Sequence, residues 1–183
     1  MQPEDVIAFW REAGPEAWFK RSDDFDAAIR ERFGETFERA AAGDLDGWSE
    51  TAGGTLALTI VLDQFSRNLF RDDARAFEHD ARGVALARRT LERGWVDELL
   101  ADPQAQPVAV FALMPLMHSE SIVDQHDGVA AMLRPAWKQN FDFAVLHRDI
   151  IARFARFPHR NPVLGRATTP AERHYLENGG FGG

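Results

Sequence analysis

Phe25, Ile29, Phe33 and Phe37 recur at every fourth residue, a spacing that brings side chains onto one face only if the backbone is an α-helix. Ser22 ahead of them suits an N-cap and Gly43 behind them a C-cap. Similar signals run along the chain. Pro3, Glu4 and Asp5 open a first helix with the stripe Val6, Phe9 and Trp10. Gly14-Pro15 should end it and leave Trp18 and Phe19 in a turn or loop. A third helix is expected over about 55–71. A fourth is expected over about 75–93, with Phe77, Ala81, Val84 and Leu91 inward and Gly94 closing it. Asp102-Pro103 and Pro107 break the chain. Residues 108–114 and 121–133 read as two helical pieces, and a long helix of about 136–157 is stopped by Pro158 and Pro162. Thr169-Pro170-Ala171-Glu172 is a capping box with proline at the first helical position, and Asn178-Gly179-Gly180 ends the last helix. Nothing alternates with a period of two over a useful length. The expected fold is all-α: a single domain over 1–183, arranged as an antiparallel helical array with short connections.

Composition narrows the functional classes. The hydrophobic fraction of 45% and charged fraction of 27% are those of an ordinary globular protein. With no cysteine, thiolate metal sites, disulfides and cysteine nucleophiles are excluded. A net charge of −8 argues against nucleic acid and against anionic membranes as partners. The acidic start and the absence of a long apolar run point to the cytoplasm.

The segment 62–71, Leu-Asp-Gln-Phe-Ser-Arg-Asn-Leu-Phe-Arg, stands out within the third helix. Asp63, Arg67 and Arg71 form one i, i+4 row, with Gln64 and Asn68 in the row beside it. Leu58, Leu62, Phe65 and Leu69 take the opposite side. A solvated helix face is normally rich in Lys and Glu; Asp, Gln, Arg and Asn suit directed hydrogen bonds. Either an internal ion-pair and amide network or the floor of a ligand site fits this face.

Further polar residues sit where solvent-facing helix logic does not explain them. Asp80 falls between Phe77 and Val84 and calls for a partner, Arg67 or Arg71. His147 is flanked by Phe143, Ile150, Ile151 and Phe154 and should point inward. His118 and Glu120 follow Pro115 at an expected helix break. Their His-x-Glu spacing matches half of the zinc-deaminase signature, whose cysteine pair this chain lacks. His-Glu-x-x-His and Glu-x-x-His are absent, so no metal and no cofactor is expected. The span 153–166 is basic, with Arg153, Arg156, His159, Arg160, Asn161 and Arg166. Arginine presents a planar fork to carboxylate or phosphate, so this span suits an anion site or internal neutralisation of acidic groups. Asp63, Arg67, Asp80, His118, Glu120, His147 and Arg160 are expected to gather in one polar cluster.

These motifs, taken in order, resemble a known family. Leu62 to Asn68 with Arg71, then Phe77 and Asp80, Pro115 to Glu120 with Asp124-Gln125, His147, and Arg153 to Asn161 with Leu164, Gly165 and Arg166 are similar to the uncharacterised bacterial family called domain of unknown function 924. The resemblance covers nearly the whole chain. It implies an all-helical, tetratricopeptide-like fold and supplies no reaction. Family members more usually have Pro at the position of Ser66 and Gly at that of Ala155; Ala155 adds a Cβ where the pattern leaves room.

Three functional readings remain open on the sequence. One is a binding module for a small anionic ligand or peptide, with contacts from Asp63, Gln64, Arg67, Asn68, Arg71, His118, Glu120, His147, His159, Arg160 and Asn161. The second is an enzyme of hydrolase or proton-transfer type, with His118 or His147 as base, Asp63 or Glu120 orienting it, and arginines stabilising developing negative charge. The third is a structural polar network in an oligomer or interaction protein.

Overall fold

The computed structural model describes residues 1–182, and every regular element among them is helical. The helices are α1 (Pro3–Phe19), α2 (Asp23–Ala42), α3 (Ala52–Thr59), α4 (Ser66–Leu69), α5 (Asp80–Glu92), α6 (Trp95–Ala101), α7 (Met114–His118), α8 (Ile122–Ala131), α9 (Lys138–Phe154) and α10 (Pro170–Glu177). Short 3-10 turns join several of them, and a π-helical segment, Ile60–Phe65, runs without interruption between α3 and α4. The chain divides into two compact units. The first comprises Met1–Arg71 and Arg75–Pro115; the second comprises Asp72–Ala74 and the chain from Leu116 onward.

The first unit is built on an aromatic core. Ile29, Phe33 and Phe37 of α2 are buried, and Phe25 stacks on Phe9 of α1 with centroids 5.6 Å apart. Trp10 lies edge-on to Phe65 and Phe111, at 5.7 and 5.4 Å. Ser22 caps α2, accepting from the Phe25 N–H, and Gly43 closes it. Gly14-Pro15 does not end α1 as the sequence suggests. Gly14 takes a left-handed φ of 73°, the axis kinks, and the helix resumes to Phe19. Pro15 serves as a first-turn residue of the continuation, where its missing N–H costs nothing. Trp18 is thereby turned back so that its Nε1 donates to the Trp10 carbonyl at 2.6 Å.

The fourth expected helix also differs. It begins at Asp80 rather than near 75, and its buried face is Gly83, Ala87 and Thr90. Ala81 and Leu91 are exposed, and Val84 is half-buried. Close approach is the cause: a Cβ at Gly83 would stand 3.2 Å from the Pro115 Cβ. A face made of small residues carries no hydrophobic signal in the sequence. A further helix beyond those expected from the sequence, α6, follows Gly94 directly and buries Val96 and Leu99.

The second unit is smaller. Ile150, Ile151 and Phe157 form its core, with Phe154, Tyr175 and Phe181 packed against them. Helix α8 starts at the Ser121 cap, and α10 starts at the full Thr169–Glu172 capping box. Helix α9 ends in Ala155, whose φ of 56° is left-handed.

Candidate functional site

The third helix carries its polar row into the interior. Asp63 is 1% exposed, and Gln64 and Asn68 are also buried. The row spans the π-helical segment and the start of α4, an irregularity that recurs at functional sites. Arg67 is the hub. Its Nη1 lies 3.0 Å from Asp63 Oδ1 and donates to the Asp63 carbonyl at 2.6 Å, while Nη2 reaches Asp80 Oδ1 at 2.9 Å. Gln64 Nε2 donates to the other Asp63 oxygen at 2.6 Å. Burial works against the Arg67 charge, but Asp63 and Asp80 outweigh it and hold the guanidinium above its ordinary range. Asp80 therefore pairs with Arg67, one of its two expected partners, from the first turn of α5 rather than from an apolar face.

Arg71 and Asn68 turn to a carboxylate the sequence did not single out. Arg71 grips Asp26 through Nε and through Nη2, the latter at 2.8 Å, and Asn68 Nδ2 donates to the same carboxylate at 2.7 Å. Burial would raise the Asp26 pKa, and these bonds reverse it to below the usual carboxylate range. No local spacing connects Asp26 to position 71. Its one clue is that it sits beside the apolar stripe of α2 in an otherwise solvated run.

The remaining candidates belong to the second unit. His147 is 6% exposed, and its Nδ1 lies 3.0 Å from the Met117 carbonyl oxygen. A carbonyl only accepts, so Nδ1 carries the proton and Nε2 presents a lone pair. Nε2 is buried and meets no hydrogen-bond partner among the described residues. Gln125 shares the Met117 carbonyl: its Nε2 donates there at 2.9 Å and to the Ser119 carbonyl at 2.7 Å. That uses both amide hydrogens and leaves Oε1 buried without a partner. Phe157 stands 5.2 Å from the His147 ring and His118 stands 6.4 Å from it. Burial pushes the His147 pKa down to about 3, with His118, Arg160 and His159 adding to the depression.

Glu120 acts as a clamp. Its two oxygens take Arg166 Nη1 at 2.7 Å and Nη2 at 3.0 Å, and Oε1 also accepts the Phe157 N–H at 2.8 Å. Burial would raise its pKa, but Arg166 and the Phe157 N–H lower it on balance. Arg156 makes a second clamp on Glu172, whose pKa falls to about 2, chiefly through those hydrogen bonds. Arg160 is buried, with its guanidinium 4.5 Å from the centre of the Phe157 ring. Asn161 is fully buried. It exerts a weak pull on Glu172 but completes no hydrogen bond of normal geometry through either amide atom.

The seven residues expected in one cluster are divided between the two units, and each set is described within its own unit. Asp63, Arg67 and Asp80 form one set; His118, Glu120, His147 and Arg160 lie in the other unit. Two open grooves of about 550 and 610 Å³ cut the second unit, and neither is lined by His118, His147 or Arg160. Among the described residues no group of three His, Asp or Glu side chains is placed to hold a metal ion, and no helix is long and apolar enough to cross a membrane.

Comparison with known proteins agrees with this architecture. A solved structure of a protein of unknown function from Agrobacterium tumefaciens is 38% identical, covers 97% of both chains and superposes with a TM-score of 0.89. No curated protein matches the chain. The sequence profile described as bacterial protein of unknown function (DUF924) matches residues 6–180. With that span and an all-helical structure shared nearly end to end, the chain belongs to the DUF924 family of bacterial proteins of unknown function.

Proposed function

We propose that the protein is a binding module for a small anionic ligand, and that the groups around His147 in the second unit receive it. The observation that carries this reading is the buried Nε2 of His147, which has no hydrogen-bond partner among the described residues and has His118, Arg160 and His159 near it. Buried polar groups are almost always satisfied, and here Gln125 Oε1 and the Asn161 amide add further unused capacity. A small acid matches this inventory. Its anionic end suits the positive field and the Asn161 amide hydrogens. A hydroxyl, or a proton taken up on binding, suits the Nε2 lone pair.

The row Asp63, Gln64, Arg67, Asn68 and Arg71 we infer to be an internal network, because its donors are engaged by Asp63, Asp80 and Asp26. General-base catalysis has less support. An imidazole held near 3 is a weak base at neutral pH, and Glu120, the carboxylate that would orient it, is engaged by Arg166 and Phe157.

A thermal-shift screen of carboxylates and phosphates tests the proposal. At a hundredfold excess over its dissociation constant, a ligand adds about 2.7 kcal/mol to the parent protein. Arg160→Lys keeps the charge but loses the planar fork, so this variant should fold and lose the stabilisation. If no anion stabilises the parent, and Arg160→Lys lowers its melting temperature unaided, Arg160 is structural and the proposal fails.

A further inference from the structure

After α10 the chain folds back on itself. Gly179 has a left-handed φ of 82°, and Gly180 lies so close to α10 that a Cβ there would stand 2.5 Å from the Tyr175 carbonyl oxygen. The Gly180 N–H donates to that same carbonyl at 2.9 Å, and the Phe181 N–H donates to the Tyr175 hydroxyl at 2.9 Å. Two glycines and one hydroxyl therefore aim a single apolar side chain. The Phe181 ring lies 4.7 Å from that of His147 and 5.3 Å from that of His159, with Phe157 behind both imidazoles at 5.2 and 5.5 Å.

Phe181 is only half-buried and is reached through residues that contribute no side chain. The imidazole it covers is more than nine-tenths buried and has an unmatched nitrogen. Neither open groove of this unit reaches His147, where Phe181 stands. An aromatic ring packs well against imidazole and phenyl faces, and a ring delivered by a ligand could do the same while also bringing a hydrogen-bond donor, which Phe181 lacks.

We propose that Phe181 is an internal plug that occupies the place of the ligand's ring, and that the ligand is a small aromatic acid, the ring displacing Phe181 and the acid group meeting Arg160 beside His147. This rests on the anion-binding reading above and adds to it the ligand class and a mechanism of competition. Displacement swings the Gly179-Gly180 segment away from α10 and breaks the hydrogen bond to Tyr175. The plugged state lowers apparent affinity by the fraction of molecules that are open.

The test titrates the parent and Phe181→Ala with 4-hydroxyphenylacetate and with acetate. Phe181→Ala should bind 4-hydroxyphenylacetate about tenfold more tightly than the parent, as expected for a plug closed about nine-tenths of the time. Acetate should bind both alike. Gly180→Ala keeps the ring but cannot hold the fold-back, so it should show the same gain without a truncated side chain. Tyr175 is the only tyrosine in the chain, and in the parent its ring resonances should shift as the aromatic acid saturates. Equal affinity of parent and both variants for 4-hydroxyphenylacetate, with acetate still bound, overturns the plug and leaves the anion reading standing. A gain for acetate as large as for the aromatic acid overturns the ligand class. Failure of both anions to bind any of the proteins overturns both proposals.

Discussion

The Nδ1 atom of His147 lies 3.0 Å from the carbonyl oxygen of Met117, which fixes the proton on that nitrogen, while burial keeps the ring neutral in the interior. Helices α7 and α9 supply the two groups, so the backbone just after Pro115 sets the tautomer of a side chain thirty residues later.

Burial of that ring gives a pH dependence with a definite sign. Burial, then His118 on α7, and to a smaller degree Arg160 and His159 on the 158–160 turn, hold His147 at about 3, against 6.5 unperturbed, while the Met117 carbonyl opposes them. The folded state thus binds fewer protons than the unfolded state between these values. Its contribution is complete above 6.5 and is lost as pH falls toward 3, with a limiting slope of about 1.4 kcal/mol per unit. Urea midpoints at pH 7.5 and 5.0 should differ clearly in the parent and much less in His147→Gln. Asp26, Glu120 and Glu172 have lowered pKa values and contribute at more acidic pH. Identical differences in parent and variant would show that His147 is not buried neutral.

The two carboxylates on Arg67 should not be equivalent. Asp63 is 1% exposed at its side chain and Asp80 is 19% exposed. Asp63→Asn leaves Arg67 short of a buried counter-charge and should cost about 3–5 kcal/mol. Asp80→Ala removes a partner already touched by water and should cost about 1–2 kcal/mol, less than a place on an apolar face would imply. Glu92, exposed at the end of α5, should tolerate Ala within about 0.5 kcal/mol. Equilibrium denaturation of the three variants orders them; equal losses at 63 and 80 would contradict the burial difference.

Ala155→Gly should stabilise the protein. The family resemblance places Gly there, and Ala155 ends α9 with a φ of 56°. A Cβ in the left-handed region costs about 1–2 kcal/mol, part of which is offset because Ala narrows the unfolded ensemble. A net gain of about 0.5–1 kcal/mol is expected, read as a rise in melting temperature. An unchanged or lower melting temperature would mean that the methyl group makes contacts worth as much as the strain.

Local signals were legible in proportion to how far their partners lie along the chain. The stripe of α2, the Ser22 and Thr169 caps and the i, i+4 pair Asp63–Arg67 all act within a few residues and are present as read. The π-helical stretch carries no compositional mark, since its sequence suits an α-helix equally. The buried face of α5 is not legible in the sequence because it is made by Gly83, Ala87 and Thr90, small residues that serve close approach rather than hydrophobicity. The inward turn of His147 followed from its aromatic neighbours, but its unmatched nitrogen depends on Met117 and Gln125, and Phe181 covers it from beyond a Gly-Gly pair that reads only as a helix stop.

The central claim, that the groups around His147 receive an anion, is tested most directly by nuclear magnetic resonance of protein labelled with nitrogen-15 in histidine. In the free protein at pH 7, His147 should show a protonated Nδ1 and a bare Nε2. Adding an anion that stabilises the parent should move the His147 Nε2 resonance along a saturating curve, with the same half-point as the thermal shift, and Arg160→Lys should abolish the movement. A stabilising anion that leaves the His147 resonances unmoved would place its site elsewhere and contradict the account.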